Sequence, residues 1–201
     1  MRDRILEESV AAFAEVGYHG TSIRDIAQRV DCSVSTIYTW FDSKSDLLAA
    51  LISGTAEELT DEVQMALLGT SEDASSRLAA AVRTHVTFHA FRQRESFVAA
   101  SEIRSLSPES KKLNIEQRDH YEKIFVQILV DGVASGEFST PYPDEVARAL
   151  LAMCTAVATW YHADCPLSVT EVADRYVQLA MSMASTPSVA EVAGTFERLT
   201  P

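Results

Sequence analysis

Hydroxyl and aromatic side chains are concentrated in one short stretch near the amino terminus. They are Ser35, Thr36, Tyr38, Thr39 and Trp40. Short hydroxyls donate to phosphates or base edges, and apolar groups contact thymine methyls in the major groove of DNA. Ser22, Ser33 and Ser43 stand where helices are predicted to begin, and helix amino termini offer free N–H groups to phosphate. The pattern is typical of a DNA-reading surface; packing of Tyr38 and Trp40 against a neighbouring helix is the alternative.

Histidine and cysteine form two further groups with possible chemistry. His85 and His89 lie four residues apart, a spacing that is compatible with metal binding on one helix face, but no third ligand of fitting spacing accompanies them. The second group matches no metal or catalytic spacing and consists of Cys154, His162, Asp164 and Cys165. Core or solvent-facing histidines and a loop at a helix end explain both groups. We therefore expect no metal, no cofactor and no enzyme activity.

Two alternatives of a different class remain open. One is an all-α enzyme or metal-binding protein that uses His85/His89 or Cys154/His162, and the other is a helical interaction adaptor. The sequence contains no phosphate-binding loop, dinucleotide fingerprint or common hydrolase motif. Loss of DNA binding on removal of residues 1–48 would separate a DNA-binding protein from both alternatives.

The composition is that of an ordinary globular protein. The chain has 201 residues, of which 47% are hydrophobic and 23% charged, and its formal net charge is -12. No apolar run approaches the roughly 20 residues of a membrane span, and no signal-peptide core is present in the first helix. Three cysteines without a CxxC spacing are typical of reduced thiols, so we expect a cytoplasmic protein without membrane contact. The charge excludes a generic nucleic-acid coat protein but permits a small DNA-reading site.

Apolar residues recur at helical spacing throughout the chain, which predicts an all-α fold. Strand-like alternation is essentially missing, and there is no proline before Pro108. Helix starts are indicated by Ser followed three residues later by an acid, and by a serine-proline-acid sequence; they lie at Ser22/Asp25, Ser43/Asp46, Ser107-Pro108-Glu109, Ser168/Glu171 and Ser188/Glu191. The predicted helices span about nine segments, near 2–16, 22–30, 33–41, 43–68, 73–94, 96–105, 108–135, 143–163 and 168–184, with a short one over 188–198.

The first quarter predicts a helix-turn-helix. Ile26 and Val30 form the inward face of one short helix, and Ile37 and Phe41 form that of the next. Two short helices joined by a tight turn and braced by a third make this module. The hydroxyl and aromatic residues then lie on its outward face.

Residues 13–48 resemble the amino-terminal signature of the tetracycline-repressor (TetR) family of bacterial transcription regulators. The similarity includes G-Y-x-G-T-S at residues 17–22, the Ile37-Tyr38 pair, Phe41 and the Ser43-Lys44 helix start. The resemblance implies phosphate contacts by Thr21, Ser22, Tyr38 and Lys44. It also implies groove-facing positions for Ser33, Ser35, Thr36, Thr39 and Trp40.

The chain departs from the family pattern at several positions. Asp31 stands where the family usually has a turn glycine, and aspartate tolerates the left-handed conformation better than most residues. Val34 replaces a residue that is often basic. Residues 1–48 carry five basic and eight acidic side chains, a net of -3, so electrostatics alone cannot hold this module on DNA. Specific binding as a dimer is required.

The rest of the chain resembles the family only in architecture. The resemblance implies a helix-turn-helix domain at 1–48 and a helical ligand-binding and dimerisation domain at 49–201. It assigns the apolar helices near 143–163 and 168–184 to a homodimer interface. The expected function is a ligand-responsive regulator, a repressor, that binds a palindromic operator as a dimer and is released by a small effector.

Aromatic residues predict an apolar effector pocket. Its expected lining is Phe88, Phe97, Tyr121, Phe125 and Trp160, which suits an acyl or aromatic body. Arg104 lies in a segment, 92–123, with seven basic and six acidic residues, and this suits an anionic head group; ion pairs on a solvated helix face are the alternative. The stretch from Phe97 to Phe138 also resembles the acyl-CoA-sensing branch of the family. We therefore expect an acyl-CoA or a related apolar acid.

Overall fold

The structure is a computed structural model that describes residues 1–185, and all regular structure in this range is helical. The helices are α1 (Arg2–Val16), α2 (Ile23–Val30), α3 (Val34–Tyr38), α4 (Lys44–Leu68), α5 (Ala74–Phe91), α6 (Gln93–Ser101), α7 (Pro108–Ser135), α8 (Pro143–Thr155), α9 (Val157–Trp160) and α10 (Val169–Ala184), with a 3₁₀ turn at Ile103–Ser105. The all-α prediction is confirmed. The helix predicted over 188–198 lies outside the described residues.

Serine side chains begin several helices as the sequence predicts. Ser22 and Asp25 form a reciprocal capping box on α2, and Ser168 and Glu171 form another on α10. Ser107 accepts from the backbone N–H of Ser110 at the start of α7. These caps satisfy N–H groups that have no partner within the helix.

Several predicted helices are shorter or broken. The helix predicted over 96–105 ends at Ser101, before the 3₁₀ turn at Ile103–Ser105. The helix predicted over 33–41 ends at Tyr38, because the chain tightens there: Trp40 donates its N–H to the Ile37 carbonyl and Thr39 donates its hydroxyl to that of Thr36. The helix predicted over 143–163 is interrupted at Ala156, giving α8 and α9. Apolar residues continue at helical spacing past Tyr38 and past Ala156, so this spacing alone cannot show where either helix stops.

The described chain forms two compact units. Unit 1 comprises residues 1–59 and 91–119, and unit 2 comprises residues 60–90 and 120 onward. The core of unit 1 includes Ile26, Ile37 and Phe41 together with Val98 and Leu106, and α6 packs against α1. The predicted helix-turn-helix therefore shares its core with a later segment of the chain. The core of unit 2 includes Leu78, Val82, Val86, Leu129 and Leu150, all fully buried.

Gly132 packs against Phe138 in unit 2. A Cβ atom there would lie 2.1 Å from the ring of Phe138, and the Phe138 N–H donates to the Gly132 carbonyl over 3.0 Å. The spacing of Gly132, Gly136 and Phe138 thus has a packing role. Gly136 adopts a positive φ of 81° in the turn between them.

Candidate nucleic-acid interface and effector site

The turn between α2 and α3 is built around Asp31. Asp31 adopts φ 56° and ψ 54°, the left-handed conformation expected for this position. The N–H of Cys32 then donates to the Ala27 carbonyl over 2.9 Å and closes the end of α2. The turn accepts aspartate where a glycine is usual, which confirms that expectation.

Ser33 caps α3 and gathers the hydroxyls of its first turn. The Ser33 Oγ accepts from the Thr36 N–H over 3.1 Å and lies 2.7 Å from Ser35 Oγ and 2.8 Å from Thr36 Oγ1. Ser33 and Ser35 are exposed and Thr36 is half-buried. The start of α3 therefore presents three hydroxyls together, and the Ser22 cap of α2 is also exposed.

The two aromatic residues at the end of α3 lie on the surface. Tyr38 is 49% exposed and Trp40 is 50% exposed, whereas Ile37, which immediately precedes Tyr38, is fully buried. Thr39 is exposed beside them. Tyr38 ends α3 and Trp40 lies two residues beyond it, so two large exposed rings stand close together in the sequence at this end of the helix. This is the placement expected of residues that meet DNA.

Thr21 and Lys44 hold the turn between α1 and α2. Thr21 is 2% exposed, and its hydroxyl lies 2.9 Å from the Gly17 carbonyl oxygen and 3.3 Å from that of Ala12. The Lys44 ammonium donates to the carbonyls of Tyr18 and Thr21 over 2.9 and 2.8 Å and lies over the Tyr18 ring. The Thr21 hydroxyl therefore hydrogen-bonds inside the fold. The ammonium of the half-buried Lys44 has one N–H beyond the two that donate to these carbonyls.

The residues predicted to line the effector pocket are divided between the two units. Phe97 and Arg104 belong to unit 1 and are exposed. Phe88, Tyr121 and Phe125 are buried in unit 2. Trp160, also in unit 2, is exposed and its ring stacks on that of Tyr176 at 6.4 Å. The sequence indicated the three aromatic residues that are buried in unit 2, but it could not distinguish them from the three predicted lining residues that are exposed.

A chain of polar side chains lies among the buried aromatic rings of unit 2. The Nδ1 atom of His85 lies 2.7 Å from the Tyr121 hydroxyl, and its Nε2 atom lies 3.1 Å from Thr155 Oγ1. Thr155 Oγ1 in turn lies 3.5 Å from His89 Nε2. We call these four residues the polar chain. Thr155 was missed by the sequence analysis, since one threonine late in an apolar helix carries no signal.

Burial keeps the polar chain uncharged at neutral pH. Burial lowers the pKa of His85 well below its usual value, with a further lowering by His89, and it lowers the pKa of His89 to about 4. Burial also raises the pKa of Tyr121 well above that of an exposed tyrosine. The two imidazoles and the phenol are therefore neutral hydrogen-bonding groups.

Neither histidine group forms a metal cluster in the described part of the chain. No three residues among the histidines, cysteines and acids of residues 1–185 are arranged to hold an ion. Burial raises the pKa of the Cys154 thiol to about 12, which leaves it protonated and poorly nucleophilic. The Cys165 N–H donates to the His162 carbonyl over 2.9 Å in a local turn.

Helices α8, α9 and α10 carry apolar residues on their outer faces, and Ala156 at the break between α8 and α9 is also apolar and exposed. Ala149, Ala152, Ala156 and Trp160 recur at intervals of three and four residues, and all are exposed. Leu179 on α10 is 48% exposed. Small residues at this spacing allow close approach of another helix. Over residues 1–185, no helix has both the length and the apolar composition that a bilayer crossing needs.

Comparison of the sequence with protein families gives two matches. Residues 5–51 match the family described as bacterial regulatory proteins, tetR family, and residues 71–184 match the family described as tetracyclin repressor-like, C-terminal domain. The second match alone spans more than half of the chain.

Individual relatives cover nearly the whole chain. The fatty acid metabolism regulator protein of Bacillus subtilis is 24% identical over 89% of this chain and 93% of its own length. The HTH-type transcriptional repressor KstR2 of Rhodococcus jostii is 25% identical over 92% of both chains.

Solved structures with the same fold include three informative cases. A tetR-family regulatory protein from Rhodococcus RHA1 superposes with a TM-score of 0.86 at 28% identity, over 93% of this chain and 98% of its own. FadR of Bacillus subtilis, solved with stearoyl-CoA, has a TM-score of 0.76 at 22% identity, over 91% and 99%. AibR, solved with isovaleryl coenzyme A and operator DNA, has a TM-score of 0.78 at 19% identity, over 93% and 99%.

Proposed function

Since this chain belongs to the tetR family of bacterial regulatory proteins, we propose that it is a dimeric repressor that binds a palindromic operator and is released by an acyl-CoA or a related apolar acid. Its class is transcriptional regulator, and the enzyme and adaptor alternatives are not favoured. A cytoplasmic location and the division into domains at 1–48 and 49–201 are parts of this proposal.

The observation that carries the proposal is the exposed outer face of α3 and of the two residues that follow it. Ser33, Ser35 and Thr36 gather three hydroxyls at its start, and Tyr38 and Trp40 expose their rings at its end. We assign phosphate contacts to Ser22, Tyr38 and Lys44. Base-edge positions are assigned to Ser33, Ser35, Thr36, Thr39 and Trp40.

Selection of bound sequences from a random DNA pool tests this assignment. The wild-type protein should enrich a palindrome with two half-sites, because a dimer presents two copies of α3. Thr39→Ala should relax preference at one position of each half-site, by roughly fivefold, because one hydrogen bond to a base edge is lost. Thr170→Ala, an exposed threonine of α10, is the matched control and should leave the profile unchanged. Enrichment of no sequence by the wild type would contradict the proposed function.

The proposed effector class has its support in unit 2. Phe88, Tyr121 and Phe125 form a buried aromatic group there, and relatives of the same fold were solved with acyl-CoA molecules. Trp160, which is exposed in the same unit, is proposed to form the rim of this site. Phe97 and Arg104, which are exposed in unit 1, stay ligand-contact predictions from the sequence alone.

The dimer is proposed to form through the outer faces of α8 and α10. Ala152→Glu combined with Leu179→Glu should shift the protein from dimer to monomer in sedimentation, because two charges per protomer would be buried without partners. Both positions are on the surface of the protomer, so the fold should survive. Leu113→Glu, at 50% exposure on α7, is the matched control and should remain dimeric. A dimer that persists in the double variant would place the interface elsewhere.

A further inference from the structure

The hydrogen-bonding capacity of Tyr121 is only half used. Its hydroxyl can donate one hydrogen bond and accept others, yet its one hydrogen-bond partner among residues 1–185 is His85 Nδ1. The Tyr121 side chain is buried. A buried hydroxyl without its full set of partners costs free energy that a bound group can recover.

Proton counting gives the polar chain two allowed directions. If Tyr121 donates to His85 Nδ1, then His85 Nε2 carries the proton and donates to Thr155. In the opposite direction Thr155 donates to His85 Nε2, and His85 Nδ1–H donates to the Tyr121 oxygen. The second arrangement frees the Tyr121 proton for another acceptor. A neutral imidazole supports either arrangement because it carries one N–H and one acceptor nitrogen.

We infer that Tyr121 is the effector-reading residue of unit 2, and that it donates a hydrogen bond to a neutral carbonyl oxygen, namely the thioester of an acyl ligand. His85 and Thr155 act as positioning residues, since they supply the proton order that frees the Tyr121 hydroxyl. This inference rests on the proposed function and specifies which atom of the effector is recognised.

The surroundings of Tyr121 favour a neutral oxygen over an anionic one. The Phe125 ring lies 5.5 Å from that of Tyr121 and 6.1 Å from that of His85, and the Phe88 ring lies 5.7 Å from that of His89. No charged side chain is hydrogen-bonded to Tyr121, His85 or Thr155 in the described chain. The lowered histidine pKa values agree, because the imidazoles stay neutral and cannot offset a carboxylate. A thioester carbonyl has no such cost.

The polar chain also reaches the surface at the break between α8 and α9. Thr155 is exposed and immediately precedes Ala156, where the helix is interrupted. It lies beside Ala152 and Ala156 of the proposed dimer face. When a ligand accepts a hydrogen bond from Tyr121, Thr155 donates to His85 Nε2 instead of accepting from it. This reversal couples the buried site to the proposed dimer face.

Paired ligands with and without the carbonyl test the inference. The ligands are stearoyl-CoA and isovaleryl-CoA, each compared by calorimetry with the thioether in which a methylene replaces the carbonyl. Wild-type protein should bind at least one thioester roughly 3- to 10-fold more tightly than its thioether. Tyr121→Phe should reduce this ratio to about 1 and leave the thioether affinity unchanged. Tyr142→Phe, an exposed tyrosine, should keep the wild-type ratio.

An infrared measurement covers the case in which Tyr121→Phe does not fold. The carbonyl band of the thioester bound to wild-type protein should lie at lower frequency than the band of the same thioester in an aprotic solvent. Equal affinities for thioester and thioether, a ratio that survives Tyr121→Phe, an unshifted band, or no binding of any of the four ligands would overturn the inference. If the protein enriches a palindrome but binds none of the ligands, the repressor proposal stands and the inference about Tyr121 fails. If the protein prefers thioesters but enriches no DNA sequence, the Tyr121 site stands and the repressor proposal fails.

Discussion

Tyr38→Phe should lower operator affinity by roughly 10²- to 10⁴-fold while leaving the protein folded and dimeric. A hydrogen bond to a charged phosphate contributes about 1.5 to 3 kcal/mol, and a dimer on a palindrome loses two of them. Tyr38 is 49% exposed and its hydroxyl makes no hydrogen bond within residues 1–185, so the free energy of unfolding should not change. The measurement is a titration of fluorescent operator DNA at fixed salt, followed by fluorescence anisotropy.

Tyr142→Phe provides the control, because Tyr142 is 52% exposed and lies at the start of α8. It should bind the operator as the wild type does. The slope of affinity against salt should be the same for Tyr38→Phe and wild type, since the phenol carries no charge and releases no counterion. An affinity within threefold of wild type would remove Tyr38 from the interface.

The local structure of the proposed DNA-reading surface could be predicted from the sequence because short-range rules determine it. Ser22 and Ser33 cap helices through backbone groups three residues away, and Asp31 adopts the left-handed turn that its side chain tolerates. These relations span a few residues, so their order along the chain is sufficient. The inward face, with Ile26 and Ile37, follows from helical spacing in the same way.

The roles of Thr21 and Lys44 depend on contacts that spacing does not encode. Lys44 reaches back 26 residues to the Tyr18 carbonyl, and the Thr21 hydroxyl turns inward to α1. A motif identifies both as members of the DNA-binding module. It cannot show that part of their hydrogen bonding stabilises the module itself.

The proposed effector site was harder to predict, because its contacts join residues that are far apart in the sequence. His85 meets Tyr121 and Thr155, which lie 36 and 70 residues away in sequence. The spacing of His85 and His89 indicated one helix face and favoured core or solvent-facing histidines over a metal site, but it identified no hydrogen-bond partner for either ring. Only the packing of α5, α7 and α8 shows that the histidines bond to neutral hydroxyls.

Acidification should destabilise the protein between pH 6.5 and pH 5 through these histidines. The pKa of His89 is about 4 in the folded chain, against about 6.5 in the unfolded chain. Above pH 6.5 both states are neutral and the full stability is present. Below it the unfolded chain binds a proton that the folded chain excludes, so the free energy of unfolding falls by about 1.4 kcal/mol per pH unit, or about 2 kcal/mol by pH 5. The lowered pKa of His85 adds to the loss in the same direction.

Urea unfolding at pH 7.5, 6.5, 5.5 and 5.0 measures this effect, with His89→Asn alongside. Asparagine is neutral throughout, so the variant should lose stability with a shallower pH slope, whatever its stability at pH 7.5. The capping carboxylates of Asp25 and Glu171 have lowered pKa values, and their contributions are lost only as pH falls below about 4.5, outside the window. His120→Asn, an exposed histidine, should keep the wild-type slope. If the free energy of unfolding has the same pH slope in wild type and His89→Asn, then burial does not hold His89 neutral. The conclusion that the polar chain is uncharged would then be wrong.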